Sequence, residues 1–356
     1  MTDIIRLKAE LLCYGMTVDK DSREALFKEY PHFFDKGFID AVNLKVEGAT
    51  ACVSIAEEYS TRSPYVLKKE ENGYFVCKGD EKYTVEFFKA LPKTDTVLDD
   101  LARLHDTGCI NIWPSTSCCY DTAENKCKFC SLECKNKAPI DARELALAIK
   151  KLFEKTPHQT LNFSGGTYKN PDNMVDYWCE LTENIREFSD CAIAIEFAPP
   201  SDLTRLEKLK RAGANAVIMN LEIADPTLRK RICPGKSSIS YEHYHKALEK
   251  AVEIFGWGQV SSVLIGGIQP EEDIISECEK LAAMGVFPTI MPFRPMDNCD
   301  FSLLKPCEPD SLIRMSRKLG GFLVKYKLPP FMQEGCTKCG GCSIENDCYY
   351  KEKKEI

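Results

Sequence analysis

Cys119, Cys127 and Cys130 lie in a single loop, Cys-Tyr-Asp-Thr-Ala-Glu-Asn-Lys-Cys-Lys-Phe-Cys, directly after the apolar, strand-like run Cys109 to Trp113. Thiolates select zinc or iron–sulfur clusters. A four-iron cluster ordinarily takes four cysteine ligands, so a group of three leaves one iron open to an exogenous ligand, and chemistry can start there. Cys118 competes with Cys119 for the first position. The plainer alternative is a structural zinc ion, for which Cys134 or Cys118 would be the fourth ligand.

A second group, Cys336, Cys339, Cys342 and Cys348, follows near the C-terminus. Its spacing can close around a second iron–sulfur cluster, with tetrahedral zinc as the rival. The chain has 19 cysteines, more than packing requires. In a reducing cytosol they read as metal ligands and buried thiols rather than disulfides. Cys299 and Cys307 are isolated and are expected to be small buried hydrophobes.

The elements that must position these groups are legible as periodic patterns. Residues 1–105 read as a small α+β module. Asp3 to Tyr14 and Asp21 to Tyr30 have helical apolar spacing, while Ala41 to Phe88 alternates like short strands, with a hairpin turn at Glu71-Asn72-Gly73. From residue 106 a strand-then-helix unit repeats six times, which predicts a parallel sheet with helical crossovers. The strands are placed at Cys109–Trp113, Thr160–Ser164, Cys191–Phe197, Ala216–Leu221, Val260–Ile265 and Phe287–Met291. Helices are expected to begin near Asp141, Asn173, Asp202, Tyr241, Glu271 and Asp310. Residues 329–356 form the cysteine-rich extension. Sites in such sheets lie at the carboxyl ends of the strands.

With its aromatic Phe129 before the last cysteine, the three-cysteine loop resembles the cluster motif of the radical S-adenosylmethionine (SAM) superfamily. The family's usual spacing is Cys-x3-Cys-x2-Cys; here it is x7 then x2. The resemblance implies a partial (β/α)6 barrel over 106–328, carrying a four-iron cluster on Cys119, Cys127 and Cys130. Ser164-Gly165-Gly166-Thr167 is similar to the family's Gly-Gly-Glu segment, with Thr167 in place of the glutamate, and implies that Gly165 and Gly166 bind the SAM amino group. By position Glu196, Asn220 and Glu222 match the family's contacts to the ribose and methionine ends, and Arg231 or Lys236 would grip the carboxylate. Ile265-Gly266-Gly267-Ile268 is similar to the segment beside adenine, giving Ile265 and Gly267 as contacts. Arg294, in the turn Met291-Pro292-Phe293-Arg294-Pro295, is a candidate for a substrate carboxylate or phosphate, or for a salt bridge.

Together these motifs resemble the biotin-synthase-related branch. The implied activity is reductive cleavage of SAM to a 5′-deoxyadenosyl radical that activates a C–H bond of a small molecule, in sulfur insertion or cofactor biosynthesis. A peptide substrate, cofactor maturation, or a non-catalytic electron carrier or sensor are the alternatives. An auxiliary cluster on Cys336, Cys339, Cys342 and Cys348 and a flavodoxin or ferredoxin reductant are implied as well.

Bulk properties exclude other classes. Hydrophobic residues make up 44% and charged residues 28% of the chain, ordinary for a globular protein. A net charge of −7 with no broad basic stripe argues against nucleic acid. No apolar run approaches the roughly 18 residues a membrane span needs. Asp3, Arg6, Lys8 and Glu10 interrupt what would be a secretory apolar segment, so a cytoplasmic protein is expected.

Overall fold

The computed structural model describes residues 3–30, 41–55, 57–106, 108–132, 134, 138–156, 160–330, 332 and 334–355. Two sheets organise the chain. The first is built from β1 (Thr17–Val18), β2 (Ala41–Val46), β3 (Ala49–Ser54), β4 (Val66–Glu70), β5 (Gly73–Lys78) and β6 (Glu81–Phe87), in the order β1-β4-β5-β6-β2-β3. Glu70 pairs with Gly73 across the two-residue turn Glu71-Asn72, the hairpin expected from sequence. The alternation in β2 buries Val42, Leu44 and Val46, which share a core with Leu67 and Val76.

Helix α1 (Ile4–Tyr14) joins this sheet to the rest of the chain. Leu7 and Leu11 pack into the first sheet's core, whereas Ile5, Ala9 and Leu12 pack into the core of the second. A helix that is apolar on two faces is buried on two faces. Helices α2 (Lys20–Glu29), α3 (Glu57–Ser60) and α4 (Leu98–Leu101) complete this half.

The second sheet contains β7 (Ala102–Asp106), β8 (Cys109–Ile112), β9 (Thr160–Phe163), β10 (Ile193–Glu196), β11 (Ala216–Ile218), β12 (Val260–Gly266) and β13 (Val286–Pro292), in sequential order. Strands β8 to β13 are all parallel. They alternate with α5 (Ala142–Lys155), α6 (Pro171–Arg186), α7 (Thr204–Ala212), α8 (Pro226–Ile232) followed by α9 (Tyr241–Phe255), α10 (Glu271–Ala283) and, after the last strand, α11 (Pro309–Lys325). Sequence patterning misses β7, which adds antiparallel to the edge of β8, and the short α8. The helices start where small polar caps allow: Asp141, Asn170, Asp225 and Ser240 each accept first-turn N–H groups.

Sequential parallel strands with right-handed crossovers place every helix on one face, and such a sheet curls into an open barrel. The registers show what each face carries. Ile110, Leu161, Ile193 and Val217 lie on the helix-covered face. Asn111, Asn162, Ala194 and Glu196, in register with their neighbours, line the other face, where Asn162 donates to Asn111 at 2.6 Å. A polar concave surface at the carboxyl strand ends is what positions the site. The C-terminal segment enters this concavity: a Cβ on Gly335 would meet Ala194 at 2.9 Å and Asn162 at 3.5 Å. Helix α12 (Glu345–Glu355) then packs on α11.

Candidate active site

The cysteine loop leaves β8 and is clamped from three sides. On the first, a Cβ at Gly165, whose φ is +150°, would lie 2.6 Å from the Ser115 carbonyl oxygen, and one at Gly166 would lie 2.2 Å from that of Ser117 and 2.8 Å from Cys118 Cβ. The paired glycines therefore allow the loop to rest on the end of β9, with Cys119 N–H donating to the Thr167 carbonyl at 2.7 Å. The close approach seen here is to the protein's own backbone. On the second side, Lys128 N–H donates to Ile232 at 2.9 Å and Gly235 N–H to Asn125 at 3.0 Å, while a Cβ on Gly235 would be 2.8 Å from the Tyr120 ring. On the third, Phe301 N–H donates to the Lys128 carbonyl at 3.1 Å.

Within the loop, Cys118 is near enough to Cys127 and Cys130 for their charges to interact. Burial, with Cys127 and Cys118 adding to it, raises the Cys130 thiol to about 11. Burial likewise raises Cys118, with Cys127 adding to the effect. Burial raises the half-buried Cys119 thiol to about 11 as well, and its one thiol neighbour in that balance is Cys118. Cys127 is lowered by a hydrogen bond with the Cys233 thiol and by Lys236. Phe129 packs with Ile223, Ile232 and Cys233 beneath the loop. Among the described residues no three Cys, His, Asp or Glu side chains are closed into a metal-binding arrangement. What suits an iron–sulfur cluster is the donor set: soft, half-buried thiols on one loop at the strand ends.

Across from the thiols stand Glu196, Asn220, Glu222 and Lys236. Asn220 Nδ2 donates to Glu196 Oε1 at 2.6 Å, and Lys236 Nζ donates to Glu222 Oε1 at 2.7 Å. Glu222 is 8% exposed and adopts φ +70°, a costly conformation for a residue with a side chain. Its backbone is pinned there: its N–H donates to Val263, and its carbonyl accepts from Ile265 N–H at 2.9 Å and Gln269 Nε2 at 2.8 Å. Burial pushes the Glu196 carboxyl up to about 7, helped by the charge on Glu222 and opposed by Lys236 and Asn220. Burial works against the Lys236 charge, but Glu222, Tyr244 and Cys127 outweigh it and hold its pKa well up.

Several expectations meet a different geometry. Arg231 is exposed and lines an outer groove with Lys128, Leu228, Ile268, Asp300 and Phe301, while Lys236 is the cation that reaches the strand-end carboxylates. Arg229, also on α8, is 2% exposed but is occupied by the carbonyls of Leu221, Lys236 and Ile239. Ile265 sits at the end of β12. Gly267, at φ +96°, lies against Cys307, where a Cβ would come within 2.8 Å of its Cα and Cβ. Arg294 does not reach for a ligand: Nε donates to Leu12 at 3.2 Å and Nη2 to Cys52 at 2.9 Å, bracing the first sheet and α1 against the barrel.

At the C-terminus, Cys336 and Cys339 bound a 3-10 turn, with the Cys336 side chain outside the described residues. Cys342 hydrogen-bonds the Cys52 thiol. Cys348 is turned toward α11, where a Cβ on Gly320 would lie 3.2 Å from its own. Its thiol is pushed up to about 12 by burial and by Asp347 and Glu345. Cys348 thus lies on the α11 side of the C-terminal segment. Sequence reasoning missed Cys52, Cys233 and Gln269. Each acquires its partner from a distant segment, and only the Pro234-Gly235 turn after Cys233 offered a local signal.

A three-thiol loop after the first parallel strand, facing carboxylates at the ends of the third and fourth, is matched by sequence comparison. The radical SAM superfamily matches over residues 119–281. Over that span the chain is similar to the radical SAM superfamily. A curated relative, the bacteriochlorophyllide c C-7(1)-hydroxylase of Chlorobaculum limnaeum, is 27% identical over 242 residues, covering 61% of this chain and 60% of the relative. The chain thus spans about three fifths of the length of the relative it matches. Among solved structures, a radical SAM methyltransferase from Sphaerobacter thermophilus aligns with a TM-score of 0.49 at 12% identity over 76% of this chain and 78% of that one. Methylornithine synthase aligns with a TM-score of 0.46 at 19% identity over 60% and 62%. Among the described residues, no helix is long and apolar enough to cross a membrane.

Proposed function

We propose that the chain cleaves SAM reductively and activates a C–H bond of a small-molecule substrate in cofactor biosynthesis. The observation that carries this reading is the juxtaposition of the Cys118, Cys127 and Cys130 thiols with the Glu222–Lys236 pair and the Asn220–Glu196 pair at one mouth. A four-iron cluster held by three loop thiols would, when bound, supply the one-electron chemistry of reductive SAM cleavage, its electron coming from an external reductant. Cys127 and Cys130, with Cys118 or Cys119, would hold it. The protein's own part is orientation and exclusion of water. Asn220 and Glu222 offer acceptors for ribose hydroxyls and an ammonium group, and Lys236 is the buried cation available to a carboxylate. Gly165 and Gly166 keep the loop on the strand end so that these groups share one mouth.

The small-molecule substrate class rests on the similarity to a named hydroxylase. Within the superfamily, the motif order supports the biotin-synthase-related branch. The C-terminal cysteines support a second, auxiliary metal centre, and a flavodoxin or ferredoxin in a cytoplasmic setting would supply electrons. Anaerobic reconstitution with iron and sulfide, followed by dithionite and SAM, tests the reading through 5′-deoxyadenosine. Its formation by the wild type and loss in Cys130→Ala is expected. A chain with its clusters loaded that leaves SAM intact would overturn it.

A further inference from the structure

We infer that the C-terminal cysteine segment holds a thiophilic metal centre, iron–sulfur or zinc, with Cys52 of the first sheet as a ligand in place of Cys348. The inference rests on the second-centre reading above and names its ligands.

Gly341 is the hub of the arrangement. Its carbonyl accepts Cys52 N–H at 2.7 Å, and its own N–H donates to Cys339 Sγ at 3.3 Å. A Cβ built on Gly341 would lie 3.4 Å from Cys339 Sγ and 3.6 Å from Cys52 N, so this residue sits in van der Waals contact with both segments. The Cys52 and Cys342 thiols hydrogen-bond each other directly. Three thiols from two segments far apart in sequence therefore surround one residue, with an N–H already aimed at sulfur. Cys336 opens the same 3-10 turn as Cys339 and is by sequence the remaining thiolate.

The surroundings suit an anionic thiolate group. Arg294 Nη2 donates to the Cys52 carbonyl at 2.9 Å, and Lys8 Nζ, 1% exposed, donates to the Gly340 carbonyl at 2.8 Å while also pairing with Asp347 Oδ2 at 2.8 Å, so Arg294 is the main positive charge at the group. Positive charge beside clustered thiolates offsets their mutual repulsion. Cys348 has none of these relations. It sits on α12 against Gly320 and belongs to the apolar core beneath α11. A centre closed by Cys52 also ties the first sheet to the barrel, since Cys52 lies on β3 and the other thiols lie beyond α11.

The test uses the full chain, reconstituted anaerobically, with iron and zinc counted per chain and visible absorbance recorded for the wild type, Cys52→Ser, Cys339→Ser and Cys348→Ser. The wild type is expected to hold about eight irons, or about four irons and one zinc. Cys52→Ser and Cys339→Ser should drop to about four irons without zinc, and Cys348→Ser should keep the full complement. Loss of the second centre in Cys348→Ser overturns the assignment whether or not Cys52→Ser folds, and so does its retention in Cys52→Ser. A wild type with about four irons and no zinc defeats the second-centre reading itself, which separates that failure from a wrong ligand.

Discussion

Replacing Lys236 by Met tests whether the strand-end carboxylates depend on one cation. Lys236 Nζ lies 2.7 Å from Glu222 Oε1, and the two side chains are 16% and 11% exposed. Breaking a buried pair from one side costs about 3–5 kcal/mol because a charge is left uncompensated. Partial access to water at this mouth lowers the expectation to about 2–3 kcal/mol. For a chain of this size each kcal/mol moves the melting midpoint by about 2 °C, so a fall of about 5 °C is expected near pH 8. Adding Glu222→Gln removes the stranded charge and should recover part of the loss, giving a coupling of about 2 kcal/mol in a double-mutant cycle. The assay is thermal unfolding of the cluster-free protein and its three variants under one buffer. Additivity within about 0.5 kcal/mol would refute the view that these two residues act as a unit. The same substitution removes the cation that opposes the upward shift of Glu196, so the Glu196 carboxyl should titrate above about 7 in Lys236→Met.

Further outcomes follow from the same geometry. The carboxyl of Glu196 is raised to about 7 from 4.5, so the folded state binds its proton more tightly than the unfolded chain. Its burial penalty is fully present above pH 7 and is relieved as pH falls through about 7 toward 4.5, amounting to about 3 kcal/mol. Glu196→Gln should abolish that part of the pH dependence in denaturant titrations at pH 5 and pH 8, and identical profiles would discard it. Cys118→Ala is expected to abolish 5′-deoxyadenosine formation and the first cluster's absorbance while Cys119→Ala retains both; the reverse outcome would restore Cys119 as the first ligand. In Gly235→Ala the new methyl meets Asn125 and Tyr120 at 2.7–2.8 Å, and overpacking of that kind costs about 1–3 kcal/mol. Unchanged stability and cluster loading there would show that the loop is not seated on this turn. Arg294→Met should speed limited proteolysis between the first sheet and the barrel, because two carbonyls lose their shared donor.

Much of this fold is a local property of the chain. The six parallel strands are short buried runs such as Cys-Ile-Asn-Ile and Val-Ser-Ser-Val-Leu-Ile-Gly, and each following helix begins at or beside a polar or proline residue, so period and punctuation locate them within a few residues. The cysteine loop and the carboxylates were visible for the same reason, since reactive residue types at the end of a strand carry their chemistry with them. What lacked a local signal was partnership. Strand β7 has ordinary composition and is a strand only because the edge of β8 is open to pair with it. Arg294 could be read as a ligand grip until the fold brought the Leu12 and Cys52 carbonyls to it. Cys118 and Cys119 are neighbours in the chain, and only the folded loop, with Cys118 against Gly166, tells them apart. Cys52 looked like one buried thiol among many until Gly341 placed it beside Cys339 and Cys342. Periodicity and residue type are encoded over a few residues, so sequence alone settles the elements and the kind of chemistry. Ligand choice and charge pairing depend on distances between segments from 14 residues apart, as for Glu222 and Lys236, to 242 apart, as for Cys52 and Arg294, and those are set only when the chain folds.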